Sequence, residues 1–194
     1  MSHIKEVIKV NSVGAIQSTK QIEILKKALI KRSKRDYLLF IFSINTGLRL
    51  TPLLHLTLNH VMKDGSYNEF LESSITETTD IYLNSEVKRA LTLYVNEHPS
   101  NDNFYLFHTK KDPTHPITRQ QVHRILSQAG KDAGLEHPIS FHSLRKTFGY
   151  HAFQQGVAVS LIQKIYGHAT RTETLKYIGI NSEQIPKLKI DVHL

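Results

Sequence analysis

The sequence predicts a mainly α-helical domain with a small antiparallel β-sheet, an α+β architecture. Three observations predict it. Helix-capping signatures followed by apolar residues at helical spacing recur along the chain. Between residues 59 and 83, turn residues instead separate short stretches of strand character. No internal repeat, low-complexity stretch or linker divides the 194 residues, and 40 % of them are apolar, enough for a sizeable core.

Residues 1–17 carry apolar side chains without a clear period and read as a basic, extended N-terminal arm. Ser18-Thr19-Lys20-Gln21 is a capping-box pattern, and the helix after it should bury Ile22, Leu25 and Leu29. Asp36 to Asn45 is a mostly apolar helix stopped at Thr46-Gly47, where glycine supplies a left-handed cap. Arg49 sits just past that stop, and Pro52 suits the first turn of the next helix because its missing amide would be unpaired there. The small sheet is expected between Asn59 and Leu83, with turns at Lys63 to Ser66 and Ser73 to Asp80. Helices return over Ser85 to His98 and after Thr118-Arg119-Gln120-Gln121, another capping box. Three more are expected: Phe141 to Gln155, Val159 to Tyr166, and a short one around Tyr177. The domain is expected to span 18–180, with 181–194 as a tail.

Lys and Arg outnumber Asp and Glu by 25 to 17, a net charge of +8. The charge is uneven: residues 1–36 hold 9 bases and 3 acids, 64–102 hold 2 and 8, and 103–194 hold 12 and 6. An acidic block between two basic ones suggests one basic face suited to a polyanion. With no cysteine, disulfides, thiolate metal sites and a Cys nucleophile are excluded. The longest apolar run, Tyr37 to Ile44, is too short to cross a bilayer. A soluble, cytoplasmic, nucleoid-associated protein with no membrane partner is expected.

Phe141, Leu144, Phe148 and Ala152 form one helical stripe facing the core. His142, Arg145 and Gly149 form the neighbouring stripe, with the glycine opening space beside the two polar groups. A second cluster is Tyr166-Gly167-His168. Tyr177 lies nine residues after His168, so a continuous helix would put the two on opposite faces. Thr170-Arg171-Thr172-Glu173 is a capping box that restarts the helix, and that break lets both side chains converge.

Thr46-Gly47-Leu48-Arg49, His142-x-x-Arg145 and Gly167-His168 with Tyr177 nine residues on resemble, in order and spacing, the catalytic motifs of the tyrosine recombinase (phage integrase) family. The resemblance runs from about Ser18 to Ile180 and is similar to short, stand-alone members such as fimbrial phase-variation recombinases. It implies a site-specific DNA recombinase in which Tyr177 attacks the scissile phosphate and holds the DNA as a 3′-phosphotyrosine. Arg49 and Arg145 would each offer a planar fork to the phosphate, and His168 a further donor. His142 would carry the tyrosine's proton. Neither cofactor nor metal is implied, and no phosphate-cradling glycine loop or metal-ligand spacing stands in the sequence. The implied partners are double-stranded DNA, further copies forming a dimer or tetramer on it, and an accessory recombinase or directionality factor.

Three features depart from the family. Pro52 stands where an acid usually follows the first arginine. The hairpin turn that usually carries a catalytic lysine aligns on Ser73 or Ser74, and Ser74-Ile75-Thr76-Glu77-Thr78-Thr79 holds no base; Lys63, Lys110 or Lys111 would have to substitute. Only 48 residues precede Arg49, so the chain reads as a stand-alone catalytic unit or a fragment, with the arm partly replacing a DNA clamp and the tail packing on a neighbouring subunit or lying in solvent. These departures leave a catalytically impaired DNA-binding relative as the alternative. A type IB topoisomerase and a helical regulator that binds nucleic acid by charge alone rank below it.

Overall fold

A computed structural model describes residues 14–97, 104–109 and 111–181. The first thirteen residues of the arm, the tail from residue 182, and Lys110 lie outside the described residues. Ser18 caps α1 (Thr19–Arg32), its side chain accepting from the Gln21 amide at 3.3 Å, and the helix buries Ile22, Leu25 and Leu29 as their spacing requires. Ser33 closes α1 and caps α2 (Lys34–Thr46). From Asp36 to Ser43, α2 is buried on every side, because α1, α6 and α8 pack around it. It stops at Gly47, whose φ is +63°. A Cβ there would lie 2.4 Å from the Phe148 ring, so the stop needs glycine for conformation and for room. Arg49 then occupies the cap position of α3 (Leu50–Leu54), with Pro52 buried inside it.

The strand region differs in detail from the expectation. After the single turn α4 (Leu58–Val61) it forms two separate two-stranded antiparallel sheets. One pairs β1 (Met62–Lys63) with β2 (Ser66–Tyr67) across Asp64-Gly65, both at positive φ, which matches the strands' twist. The other pairs β3 (Phe70–Leu71) with β4 (Ile81–Tyr82). The polar run between β3 and β4 is not an open turn: it winds into the short helix α5 (Ser73–Thr76), closed by Asp80, whose carboxylate accepts from the Ser73 amide at 2.7 Å.

The remaining helices are α6 (Ser85–Val95), α7 (Arg119–Asp132), α8 (Phe141–Gln154), α9 (Val159–Tyr166) and α10 (Arg171–Ile178). Thr118 and Gln121 make the reciprocal capping bonds in front of α7. One large core gathers around α2, and a smaller cluster of Ile162, Tyr166, Ile178 and Ile180 joins α9, α10 and the far half of α8. The end of the arm is tied down: the buried Ile16 donates its amide to Thr147 Oγ1 at 2.8 Å, and its carbonyl accepts from His151 at 2.9 Å. Among the described residues, no helix is long and apolar enough to cross a membrane.

Candidate active site

Ser140 and Ser143 make a reciprocal cap that starts α8 and sets its rotation. Phe141 and Leu144 go into the core, Phe148 and Ala152 are half-buried on the same stripe, and Arg145 lies at the core's edge. Its guanidinium is held at three points. Nε donates to the Gly47 carbonyl at 2.8 Å, Nη2 donates to the Tyr166 carbonyl at 3.1 Å, and Cζ stands 4.4 Å over the Tyr166 ring. The Tyr166 hydroxyl donates back to the Arg145 carbonyl. Gly149 makes that return possible, since a Cβ there would lie 2.4 Å from the Tyr166 oxygen and 2.6 Å from Ile178. Burial and the neighbouring Tyr177 push the Tyr166 phenol far above the ordinary value, against the pull of Arg145.

Arg49 reaches the same carbonyl, its Nη2 donating to Tyr166 O at 3.3 Å. Two guanidinium groups, 96 positions apart in sequence, thus share one oxygen atom. Gly167, the left-handed cap of α9 at φ +65°, leaves room for this: a Cβ there would stand 2.6 Å from Arg49 Nη2. Arg49 Nη1 lies 3.8 Å from the Glu77 carboxylate. An open groove of about 520 Å³ runs between the two arginines, lined also by Glu77, Arg119, His123 and His142.

Gly167 ends α9 and Thr170 caps α10, so the chain turns between His168 and Tyr177. The turn brings their rings to 5.1 Å, and the Tyr166 ring lies 5.2 Å from each. Thr174, buried on α10, donates its hydroxyl to Thr170 O at 3.2 Å and accepts from His168 Nδ1 at 3.1 Å. This leaves Nε2 as the ring nitrogen without a hydrogen bond among the described residues. Burial lowers the pKa of His168; Glu173 opposes the shift, and Arg145 and Arg49 add to it. The Tyr177 phenol is raised by burial and pulled down in part by Arg145, whose Cζ is 5.7 Å from the ring. Arg145 acts on that oxygen first through its charge and then through the approach of its N–H groups, which falls short of hydrogen-bond geometry; the Tyr177 hydroxyl is buried with no hydrogen-bond partner among the described residues. Lys146 Nζ is 5.5 Å from the same ring.

Four of the five residues singled out in the sequence, Arg49, Arg145, His168 and Tyr177, therefore gather around Tyr166. His142 stands apart, exposed on the first turn of α8 at the rim of the groove. Ser73 and Ser74, where the family's lysine aligns, begin α5. Lys63 lines a different groove and Lys111 is exposed in a loop, so among the described residues no lysine lines the space between the arginines. Two contributors escaped the sequence reading. Tyr166 was visible only as a neighbour of Gly167-His168, and Glu77 only as one acid in an acidic block. Among the described residues no cluster of His, Asp or Glu is placed to hold a metal ion.

The model of the phage integrase family matches residues 17–184. The chain is 36 % identical over 172 residues to a probable integrase/recombinase, YoeC of Bacillus subtilis, covering 88 % of this chain and 92 % of that one. It is 24 % identical over 172 residues to the tyrosine recombinase XerC of Staphylococcus saprophyticus, covering 84 % of this chain and 55 % of XerC. The chain thus spans nearly all of YoeC but about half of the Xer relatives. In fold it is similar to the XerA recombinase, with a TM-score of 0.74 at 23 % identity over 90 % of this chain and 62 % of that one. It is also similar to a lambda integrase dimer bound to a core site, with a TM-score of 0.64 at 17 % identity over 98 % of this chain and 65 % of that one. With a family model spanning most of its length and two arginines meeting at one carbonyl beside a tyrosine, the chain belongs to the phage integrase family of tyrosine recombinases.

Proposed function

We propose that the chain cleaves and rejoins DNA at specific sites through a 3′-phosphotyrosyl intermediate on Tyr177. The observation that carries this reading is the shared Tyr166 carbonyl: two planar forks converge there, with the Tyr177 ring 5.7 Å from the Arg145 Cζ. Each fork suits two phosphate oxygens, and together they neutralise the charge that grows as phosphorus becomes five-coordinate. His168, neutral in the free protein with its proton on Nδ1, adds a donor to those oxygens through Nε2 once the phosphate's charge favours the imidazolium. The Tyr177 oxygen attacks phosphorus in line, the bond from phosphorus to the 5′ oxygen breaks, and the 5′ oxygen leaves as a hydroxyl. His142 stands apart from Tyr177 in the free protein, so it takes the phenol proton only once α10 has carried that oxygen into the groove; the leaving oxygen draws a proton from water. The phosphotyrosine bond conserves the energy of the broken linkage, so a 5′ hydroxyl from another strand reverses the step. Strand exchange therefore calls for a second copy on the same DNA.

Burial raises the Tyr177 phenol in the free protein. DNA binding must therefore reorient α10 enough to bring this oxygen to the phosphate, where the two guanidinium groups favour the phenolate.

A pool of nicked duplexes with a randomised core, which trap a covalent product by losing the short strand, tests the reading. A denaturation-resistant protein–DNA adduct is expected from the natural chain and none from Tyr177→Phe. Adduct in the Phe variant, or DNA binding with no adduct from the natural chain, overturns it.

A further inference from the structure

The groove between the arginines carries one acid among its lining residues, and its position is built into the fold. Glu77 ends α5 in the left-handed conformation, φ +64°, its amide donating to Ser73 O at 3.0 Å. On either side the loop is pinned: Thr76 Oγ1 donates to Thr79 O at 2.7 Å, and Thr78 Oγ1 donates to Ile165 O at 3.3 Å, at the end of α9. The second tie matters, because α9 leads into Gly167, against which the Arg49 guanidinium lies. The loop and the arginine are thus referenced to the same turn. Arg49 has Nη2 committed to the Tyr166 carbonyl and Nη1 turned to Glu77 at 3.8 Å.

We propose that Glu77 is the resident counter-anion of Arg49, which gives up that guanidinium when a DNA phosphate enters the groove. The proposal rests on the DNA-cleaving reading above. A carboxylate and a phosphodiester each carry one negative charge and each suit the same fork, so entry is an exchange of one monoanion for another. Glu77 thereby restrains binding at the site. Its carboxylate, once displaced, faces the incoming phosphate and must recruit a cation. That recruitment cancels about one of the counterions released from the DNA. The hairpin thus bears an anion that opposes the phosphate, on the segment where the family places a cation that supports it.

Fluorescence anisotropy with a labelled mixed-sequence duplex over a salt series measures the effect. For Glu77→Gln the dissociation constant should fall about 2- to 5-fold, the range an exposed ion pair commands. The slope of log K against log salt should steepen by about 0.9. Glu77→Gly, which also relieves the left-handed backbone, should act the same way. In an Arg49→Ala background, Glu77→Gln should change neither affinity nor slope. Equal or weaker binding by both Glu77 variants, or a gain that survives in Arg49→Ala, overturns the proposal; the second result would mean bulk charge alone. The strand-transfer reading stands or falls separately, on the Tyr177 adduct. A chain that binds with this pattern but forms no adduct keeps the Glu77 inference and loses that reading.

Discussion

Arg145 and Tyr166 hold each other at both ends. The guanidinium donates to the Tyr166 carbonyl at 3.1 Å and stacks on its ring, while the Tyr166 hydroxyl donates to the Arg145 carbonyl. The fork's aim thus depends on an aromatic side chain 21 positions away that has no chemistry of its own to perform. Tyr166→Phe removes one bond of that lock and should lower stability by about 1 kcal/mol, or about 2–4 °C in melting temperature. Gly149→Ala pushes a methyl group against the Tyr166 oxygen at 2.4 Å and against Ile178 at 2.6 Å, and should cost about 1–3 kcal/mol. Because one of the two clashing atoms disappears in Tyr166→Phe, the double variant should be less damaged than the sum of the single ones. Urea denaturation of the four proteins checks this, and strict additivity would show that the oxygen does not crowd Gly149.

Arg145→Lys keeps the charge but not the fork. One ammonium cannot serve Gly47 O, Tyr166 O and a phosphate in the geometry now observed. Adduct formation should slow by about 10²–10³-fold, the usual consequence of losing a preorganised donor to a charged transition state. Equilibrium binding of an uncleavable duplex should change far less. A fall in affinity matching the fall in rate would place Arg145 in ground-state binding instead.

How far the site could be read beforehand follows from where its information lies. Helix starts are local, so Ser18, Thr118 and Thr170 marked their helices correctly. The break that turns Tyr177 back towards His168 was legible for the same reason, since a glycine and a capping threonine stand three positions apart in the chain. The Tyr166 carbonyl as meeting point was not legible: a backbone oxygen leaves no mark in the sequence, and its partners come from residues 49 and 145. The winding of Ser73 to Thr76 into α5 was equally hidden, because it depends on Asp80 reaching back seven residues. So was the pairing of Arg49 with Glu77, which depends on how that helix presents its last residue. The expected single sheet became two because each strand has only two residues and is paired within its own hairpin.

His168 supplies a pH dependence whose sign is set by burial. Its folded pKa is lowered, so near pH 6 the unfolded chain binds more protons than the folded one. The stability this group contributes is complete above its unfolded value, near ~6.5, and is lost as pH falls through the lower folded value. His60 is lowered by burial as well and adds in the same direction. Between pH 7.5 and 5.5 the natural chain should lose more melting temperature than His168→Asn, and more still than a variant that also carries His60→Asn. Parallel curves for all three would show that neither ring is held neutral by the fold.

Tyr177 sets function against stability. Among the described residues its hydroxyl is buried without a hydrogen-bond partner, and a group left so typically costs about 1–3 kcal/mol. Such a cost persists only where the atom is needed in another state, here at the phosphate, beside the two guanidinium groups. Tyr177→Phe keeps the ring packing against Tyr166 and His168 and deletes only the stranded oxygen. The variant should therefore be more stable than the natural chain, melting about 2–4 °C higher for each kcal/mol recovered, while forming no covalent adduct. Thermal denaturation beside the trapping assay reads both. A lower melting temperature would mean that the hydroxyl makes a bond worth keeping in the free protein, and that the tyrosine is held ready rather than stored.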